Sequence, residues 1–254
     1  WLLETTEKFC KDRAIHNAIL GGIQILDGKD KQHTPEYLPE LLSGALGVSF
    51  DQKVGHDYLL ESEERYNFYK QKEERLELDL DFFNKITRGG IPSKTLNICL
   101  AGTGVGKTMF MTHLASSILL QGKNVLYITM EMAEERIAER IDANLLNVGM
   151  SDLEELPYSM YETKINKLQS KTTGKLIIKE YPTASAHTGH FKNLLSELSM
   201  KKSFKPDIIF VDYLNICSSA RFKPGANVNS YTYIKSIAEE LRGLAVENDV
   251  PIFS

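Results

Sequence analysis

The segment 94–108, KTLNICLAGTGVGKT, narrows what this chain can fold into more than any other stretch. An apolar run over 96–100 reads as a buried strand. A loop with glycines at 102, 104 and 106 follows, and Lys107 and Thr108 then open a helix. Strand, glycine-rich loop, Lys-Thr and helix in that order make a phosphate-binding P-loop. Glycines let successive backbone N–H groups turn inward as an anion nest, where side chains would block the phosphates. The helix N-terminus adds the positive end of its dipole. On this reading Ala101, Gly102, Thr103, Gly104, Val105, Gly106, Lys107 and Thr108 cradle a nucleoside triphosphate such as ATP. Lys107 reaches the β- and γ-phosphates as a point charge, and the Thr108 hydroxyl ligates Mg²⁺. The usual pattern begins with glycine, and Ala101 stands in its place, so the match is to a relaxed form. The competing reading is a plain glycine-rich turn between strand and helix.

A chain of 254 residues has room for one large α/β domain and an appendage. Its 42% apolar and 25% charged content are those of an ordinary soluble globular protein. A formal charge of −4 argues against wholesale coating of nucleic acid, yet leaves room for a local basic loop. The three cysteines, Cys10, Cys99 and Cys217, are odd in number and lack metal-ligand spacing. Cys99 and Cys217 fall in or beside apolar runs, which predicts buried free thiols in a reducing compartment. No apolar run reaches the roughly 18 residues of a membrane span and no signal peptide opens the chain, so the sequence reads as cytosolic. It starts at Trp1 and stops at Ser254, inside what reads as a strand. Both ends read as cut, and the chain as a fragment.

Residues 1–26 carry Phe9, Ile15, Ile19, Ile23 and Leu26 at helical spacing, with Gly21-Gly22 weakening the middle. Gly28 and Pro35 break the pattern, and a short helix is expected over 37–46. Residues 61–77 are crowded with charge and dotted with Tyr66, Phe68 and Tyr69. The stretch 1–77 therefore reads as a helical linker or docking arm. Its apolar face needs a partner, either the main domain or a neighbouring subunit.

From 78 to 254 strands alternate with helices, the signature of a mostly parallel sheet in an α/β domain. Residues 82–86 and Gly89-Gly90-Ile91-Pro92 lead into the P-loop strand, and its helix runs to Leu120. Strands are expected at 125–130, 176–179 and 208–211, with helices at 134–146, 189–201 and 231–247. Ser151 and Glu154 fit a capping box for another helix.

The strand IIFVD delivers Asp212 at its carboxyl end, downstream of the P-loop. That is the Walker-B arrangement, an acid holding Mg²⁺ mostly through water at the ligand edge of an open sheet. Glu131 follows VLYITM on the same edge, where a carboxylate can orient or deprotonate the water that attacks the γ-phosphate. It can equally serve the dipole of the next helix, and Glu134 and Glu135 compete for both roles. Arg221 and Lys223 lie on the loop 218–230 with Gly225, Asn227 and Asn229, either as phosphate-backbone contacts or as an ordinary solvated loop. Tyr231 and Tyr233 read as packing or capping residues rather than base-stacking platforms.

Three blocks, GGIPSKTLNICLAGTGVGKT, NVLYITMEMAEERIAERI and PDIIFVDYLNI, together resemble the RecA-like motor of DnaB-family replicative helicases. MEMAEE is the most discriminating of them, and the likeness to the T-even phage branch of the family extends over nearly the whole chain. The resemblance implies a homohexameric ring that moves on single-stranded DNA and unwinds duplex with ATP and Mg²⁺, working with primase and a helicase loader. It implies catalytic roles for Glu131 and Lys107, and a Walker-B role for Asp212. The arm would dock on the adjacent subunit, and for a phage protein the compartment would be the host cytoplasm. The family's polar sensor, later DNA loop and arginine finger would lie beyond Ser254, so the fragment alone is expected to hydrolyse ATP very slowly. Two other functions stay open: a RecA/KaiC/RadA-like recombination or repair ATPase, and a nucleotide-gated scaffold without turnover.

Overall fold

A computed structural model describes residues 1–29, 33–48, 55–70, 74–102, 104–222 and 228–254. The chain divides into two compact units, Trp1–Lys72 and Glu73–Ser254.

In the first unit, helix α1 (Leu2–Leu26) runs unbroken through Gly21-Gly22, where the sequence predicts a weak point. The glycines are a contact surface instead. A Cβ on Gly22 would lie 3.0 Å from the Leu38 side chain, and one on Gly21 would lie 3.6 Å from Leu41. Both leucines belong to α2 (Leu38–Leu46), entered through a 3₁₀ turn at Pro35–Tyr37. Small residues let two helix backbones approach, so Ala18, Gly22, Ile25 and Ala45 are buried. The expected apolar stripe of Phe9, Ile19, Ile23 and Leu26 remains 49–65% exposed. Helix α3 (Ser62–Lys70) forms inside the charge-rich stretch, with Glu63 and Glu64 in its first turn and Lys70 in its last, the signs its dipole favours.

The second unit opens with β1 (Arg75–Leu76), α4 (Asp81–Ile86) and β2 (Ile91–Pro92), and β1 pairs antiparallel with β2. Then come β3 (Leu96–Asn97), α5 (Lys107–Leu120), β4 (Val125–Thr129) and α6 (Glu134–Leu146). After α7 (Met150–Leu153) and α8 (Tyr158–Gln169) follow β5 (Leu176–Glu180), α9 (Thr188–Lys202) and β6 (Ile208–Asp212). The last elements are α10 (Ser230–Asn248) and β7 (Ile252–Phe253). Strands β3 to β7 form one parallel sheet in the order β3-β7-β6-β4-β5.

Strands β4 and β6 are buried along their whole length because helices cover both faces of the sheet. Successive side chains alternate between those faces. Leu126, Ile128, Ile209 and Val211 pack with Phe191 and Leu195 of α9 and Ile237 and Leu241 of α10. Tyr127 and Phe210 pack on the other face with Met111, Leu114 and Ile118 of α5 and Ile137 of α6.

Three expectations need correction. The run 96–100 is not a buried strand: β3 ends at Asn97, and Ile98 and Leu100 are 59% and 96% exposed. It lies at the sheet edge with β7 on one side only; Cys99 packs against the core and its N–H donates to the Ser254 carbonyl at 2.7 Å, while Ile98 and Leu100 on either side of it stay exposed. Ser151 and Glu154 form no capping box, since α7 begins at Met150 behind Gly149 without a side-chain cap. Cys99 is half-buried, whereas Cys217 is buried as expected. Among the described residues, no helix is long and apolar enough to cross a membrane.

Candidate nucleotide-binding site

Sheet register brings the strand-end acid beneath the P-loop helix. Tyr127 pairs with Phe210 and Thr129 with Asp212. Counting in twos from Phe210 therefore puts the Asp212 side chain on the α5 and α6 face, with Tyr127. Asp212 is fully buried. The Tyr127 hydroxyl donates to its Oδ2 at 3.0 Å, while Oδ1 is buried with no hydrogen-bond partner. Ser254 secures the chain on both sides of this acid: its Oγ donates to the Val211 carbonyl at 2.7 Å and accepts from the Leu214 N–H at 2.8 Å.

Above the acid, Gly104 and Gly106 take φ of +75° and +105°, backbone that a side chain disfavours, and Lys107 begins α5 directly after them. The first helical bond runs from the Phe110 N–H to the Gly106 carbonyl. The N–H groups of Gly106, Lys107, Thr108 and Met109 thus have no carbonyl one turn back and stay available to an anion. Lys107 Nζ sits 3.3 Å from the centroid of the Tyr213 ring, a cation–π contact. Tyr213 is the residue after Asp212, so the P-loop cation and the strand-end acid meet at one end of the sheet. Thr108 is half-buried in the first turn of α5, and Ala101 is half-buried at the start of the loop. Thr103 lies outside the described residues.

Glu131 leaves the same edge. Thr129 Oγ1 donates to the Met132 carbonyl at 2.8 Å and accepts from the Met132 N–H at 3.1 Å, making a tight turn at the end of β4. The Met130 N–H donates to the Asp212 carbonyl at 3.0 Å, tying that turn to β6. Glu131 projects from it and is exposed. Of its competitors, Glu134 is occupied in joining α6 to β5, accepting from the Glu180 N–H at 2.8 Å with Lys179 at 3.5 Å. Glu135 is exposed within α6. The Tyr127 phenol is held well above its ordinary 10.0 by burial first, then by the Asp212 charge and hydrogen bond, with Glu131 adding and Arg140 opposing. It stays protonated, and therefore a donor, throughout the neutral range.

Of the basic loop, Arg221 among the described residues pairs within its own surroundings. Arg221 Nη1 lies 2.5 Å from Glu239 of α10, and Lys223 falls outside the described residues. The base of the loop is anchored by Glu240, which accepts from Ser219 Oγ at 2.5 Å, the Ala220 N–H at 3.1 Å and Thr188 Oγ1 at 3.0 Å. Tyr233 packs there, its hydroxyl accepting from the Ser219 N–H at 3.2 Å, whereas Tyr231 is 74% exposed.

Sequence reasoning missed Tyr127, Thr129, Tyr213 and Ser254. One signal was present for the first: a hydroxyl-bearing ring inside an otherwise aliphatic strand implies a buried partner.

A divalent cation fits this donor set. A buried carboxylate oxygen without a partner is costly unless a cation or its water reaches it, and Asp212 Oδ1 is such an atom. Asp212 and Thr108 are the residues that would hold the ion.

With the acid, the loop and the parallel sheet in view, comparison with known proteins agrees. The model of the DnaB-like helicase C-terminal domain matches residues 76–254. The chain belongs to that family. The DnaB-like replicative helicase of Enterobacteria phage T4 is 43% identical over 265 residues, which cover 100% of this chain and 56% of the relative. The chain thus spans little more than half the length of that DnaB-like relative. A solved DnaB-like replicative helicase, described with its interactions with primase, has a TM-score of 0.58 at 16% identity, covering 98% of this chain and 58% of that one. A second solved structure, an isolated ATPase domain, has a TM-score of 0.59 at 17% identity, covering 78% of this chain and 70% of that one. The fold of this DnaB-family chain is RecA-like.

Proposed function

We propose that this chain carries the motor of an ATP-driven replicative DNA helicase, a homohexameric ring that moves along single-stranded DNA and unwinds duplex at the replication fork. The observation that carries this reading is the meeting of Lys107 with the Asp212–Tyr213 strand end under the N-terminus of α5. Lys107 and the backbone of 101–108 bind the triphosphate, Asp212 and Thr108 hold the metal, and Glu131 orients the attacking water as general base. The ion that Asp212 and Thr108 would hold there would supply positive charge against the negative charge of the triphosphate.

Residues 1–77 serve as the docking arm for the neighbouring subunit, and 78–254 as the motor. Arg221 and Lys223 contact the phosphates of single-stranded DNA. The Arg221–Glu239 pair is about half exposed, so exchanging Glu239 for a phosphate costs little. Primase and a helicase loader are the expected partners, the first supported by the primase interactions described for a relative. The host cytoplasm is the expected compartment.

Unwinding of a forked duplex with ATP and Mg²⁺ tests the reading. DNA-stimulated hydrolysis without strand separation would point to a recombination or repair ATPase, and nucleotide binding without turnover to a gated scaffold. Glu131→Gln is expected to assemble on nucleotide yet lose DNA-stimulated hydrolysis by roughly 10²–10⁴-fold. Unchanged turnover in that variant removes Glu131 from its role.

A further inference from the structure

The carboxylate of Asp212 is held in an asymmetric way. One oxygen accepts the Tyr127 hydroxyl at 3.0 Å, and the other, equally buried, accepts nothing. Tyr127 itself has no exposed surface. Its ring stacks on Phe210, centroids 5.7 Å apart and planes 16° from parallel, so the phenol cannot swing away. Both rings are set by the register of β4 on β6, which places the hydroxyl diagonally across from Asp212. A carboxylate gripped at Oδ2 by a fixed donor loses its freedom to rotate, and Oδ1 is left as its one unpartnered oxygen.

We infer that Tyr127 is a positioning residue of the metal site: it presents a single, fixed Asp212 oxygen to the hydration shell of the nucleotide-bound cation. This role rests on the reading of Asp212 as the metal acid. It has a consequence for selectivity. Mg²⁺ demands near-ideal octahedral geometry and keeps its waters, whereas Ca²⁺ accepts irregular and bidentate coordination. An acceptor fixed through one oxygen suits the first ion, while a carboxylate free to turn and offer both oxygens suits the second. Tyr127 thus favours Mg²⁺ over Ca²⁺ as well as tightening the site.

The test uses the protein loaded with the slowly hydrolysed analogue ATPγS. Mn²⁺ affinity is read by electron paramagnetic resonance, with Mg²⁺ and Ca²⁺ as competitors, and nucleotide affinity is measured separately without metal. Tyr127→Phe keeps the ring on Phe210 and removes only the donor. It is expected to weaken Mn²⁺ binding about tenfold, the usual scale for losing a group that orients a metal ligand. It should also reduce the preference for Mg²⁺ over Ca²⁺, and leave metal-free nucleotide binding as in the parent. Unchanged metal affinity overturns the role, and so does an equal loss of metal-free nucleotide binding, which would mean simple packing. Asp212→Asn separates the two readings. If it too leaves metal affinity unchanged, Asp212 is not the metal acid. If it abolishes metal binding while Tyr127→Phe does not, only the role of Tyr127 falls.

Discussion

Burial changes chemistry residue by residue, and Cys217 shows it outside the nucleotide site. Burial first, and then the charge of Glu240, pushes its thiol up to about 12. The thiolate is the reactive form, so alkylation at pH 8 is expected to modify the half-buried Cys10 and Cys99 and to spare Cys217 until the protein unfolds. Mass spectrometry of the labelled peptides checks this. Because the folded pKa lies above the ordinary 9.0, the unfolded chain gives up this proton first as pH rises. Stability from Cys217 is therefore complete below pH 9 and declines from there towards 12. Melting curves of Cys217→Ala should fall less steeply than the parent over that window. The cysteine's apolar neighbours were legible in sequence. Glu240, which comes from a distant helix, was not.

Single elements are fixed by contacts that local pattern does not contain. Gly90 closes the β1–β2 ribbon: a Cβ there would lie 2.2 Å from the Leu76 carbonyl oxygen, at a φ of +122°. Gly90→Ala is expected to destabilise the protein by about 2 kcal/mol or more, measured by urea unfolding. The glycine pair at 89 and 90 was visible, but the two-residue strand it faces was too short for any periodicity. At the N-terminus of α9, His187 Nδ1 accepts from the Gly189 N–H at 3.0 Å, which requires a neutral ring. Burial, then the neighbouring His190, lowers its pKa from 6.5. A lowered folded pKa means this stabilisation is present above pH 6.5 and lost as pH falls below it. His187→Asn keeps a capping acceptor without a titrating ring, and should flatten that acid dependence in thermal melts.

The first unit keeps Phe9, Ile19, Ile23 and Leu26 exposed on one helix, an apolar stripe that water disfavours. If it serves assembly, Ile19→Lys with Ile23→Lys should leave helix content unchanged by circular dichroism and shift sedimentation from ring to smaller species. Intact rings in that variant would assign the arm another partner. Taken as a whole, the sequence determined the α/β class, the glycine-rich loop before Lys107 and the acid that closes β6, because those features are local. A glycine-rich turn before Lys-Thr and an acid after a buried apolar strand carry their chemistry in a few neighbouring residues. The tertiary structure alone decided which groups surround them. Strand register put Tyr127 on Oδ2 of Asp212 and left Oδ1 without a partner, and Tyr213 beneath Lys107. The edge position of β3 left Ile98 and Leu100 exposed despite their apolar run. Pairing across 85 residues of chain is a property of the sheet, and no periodicity within either strand encodes it.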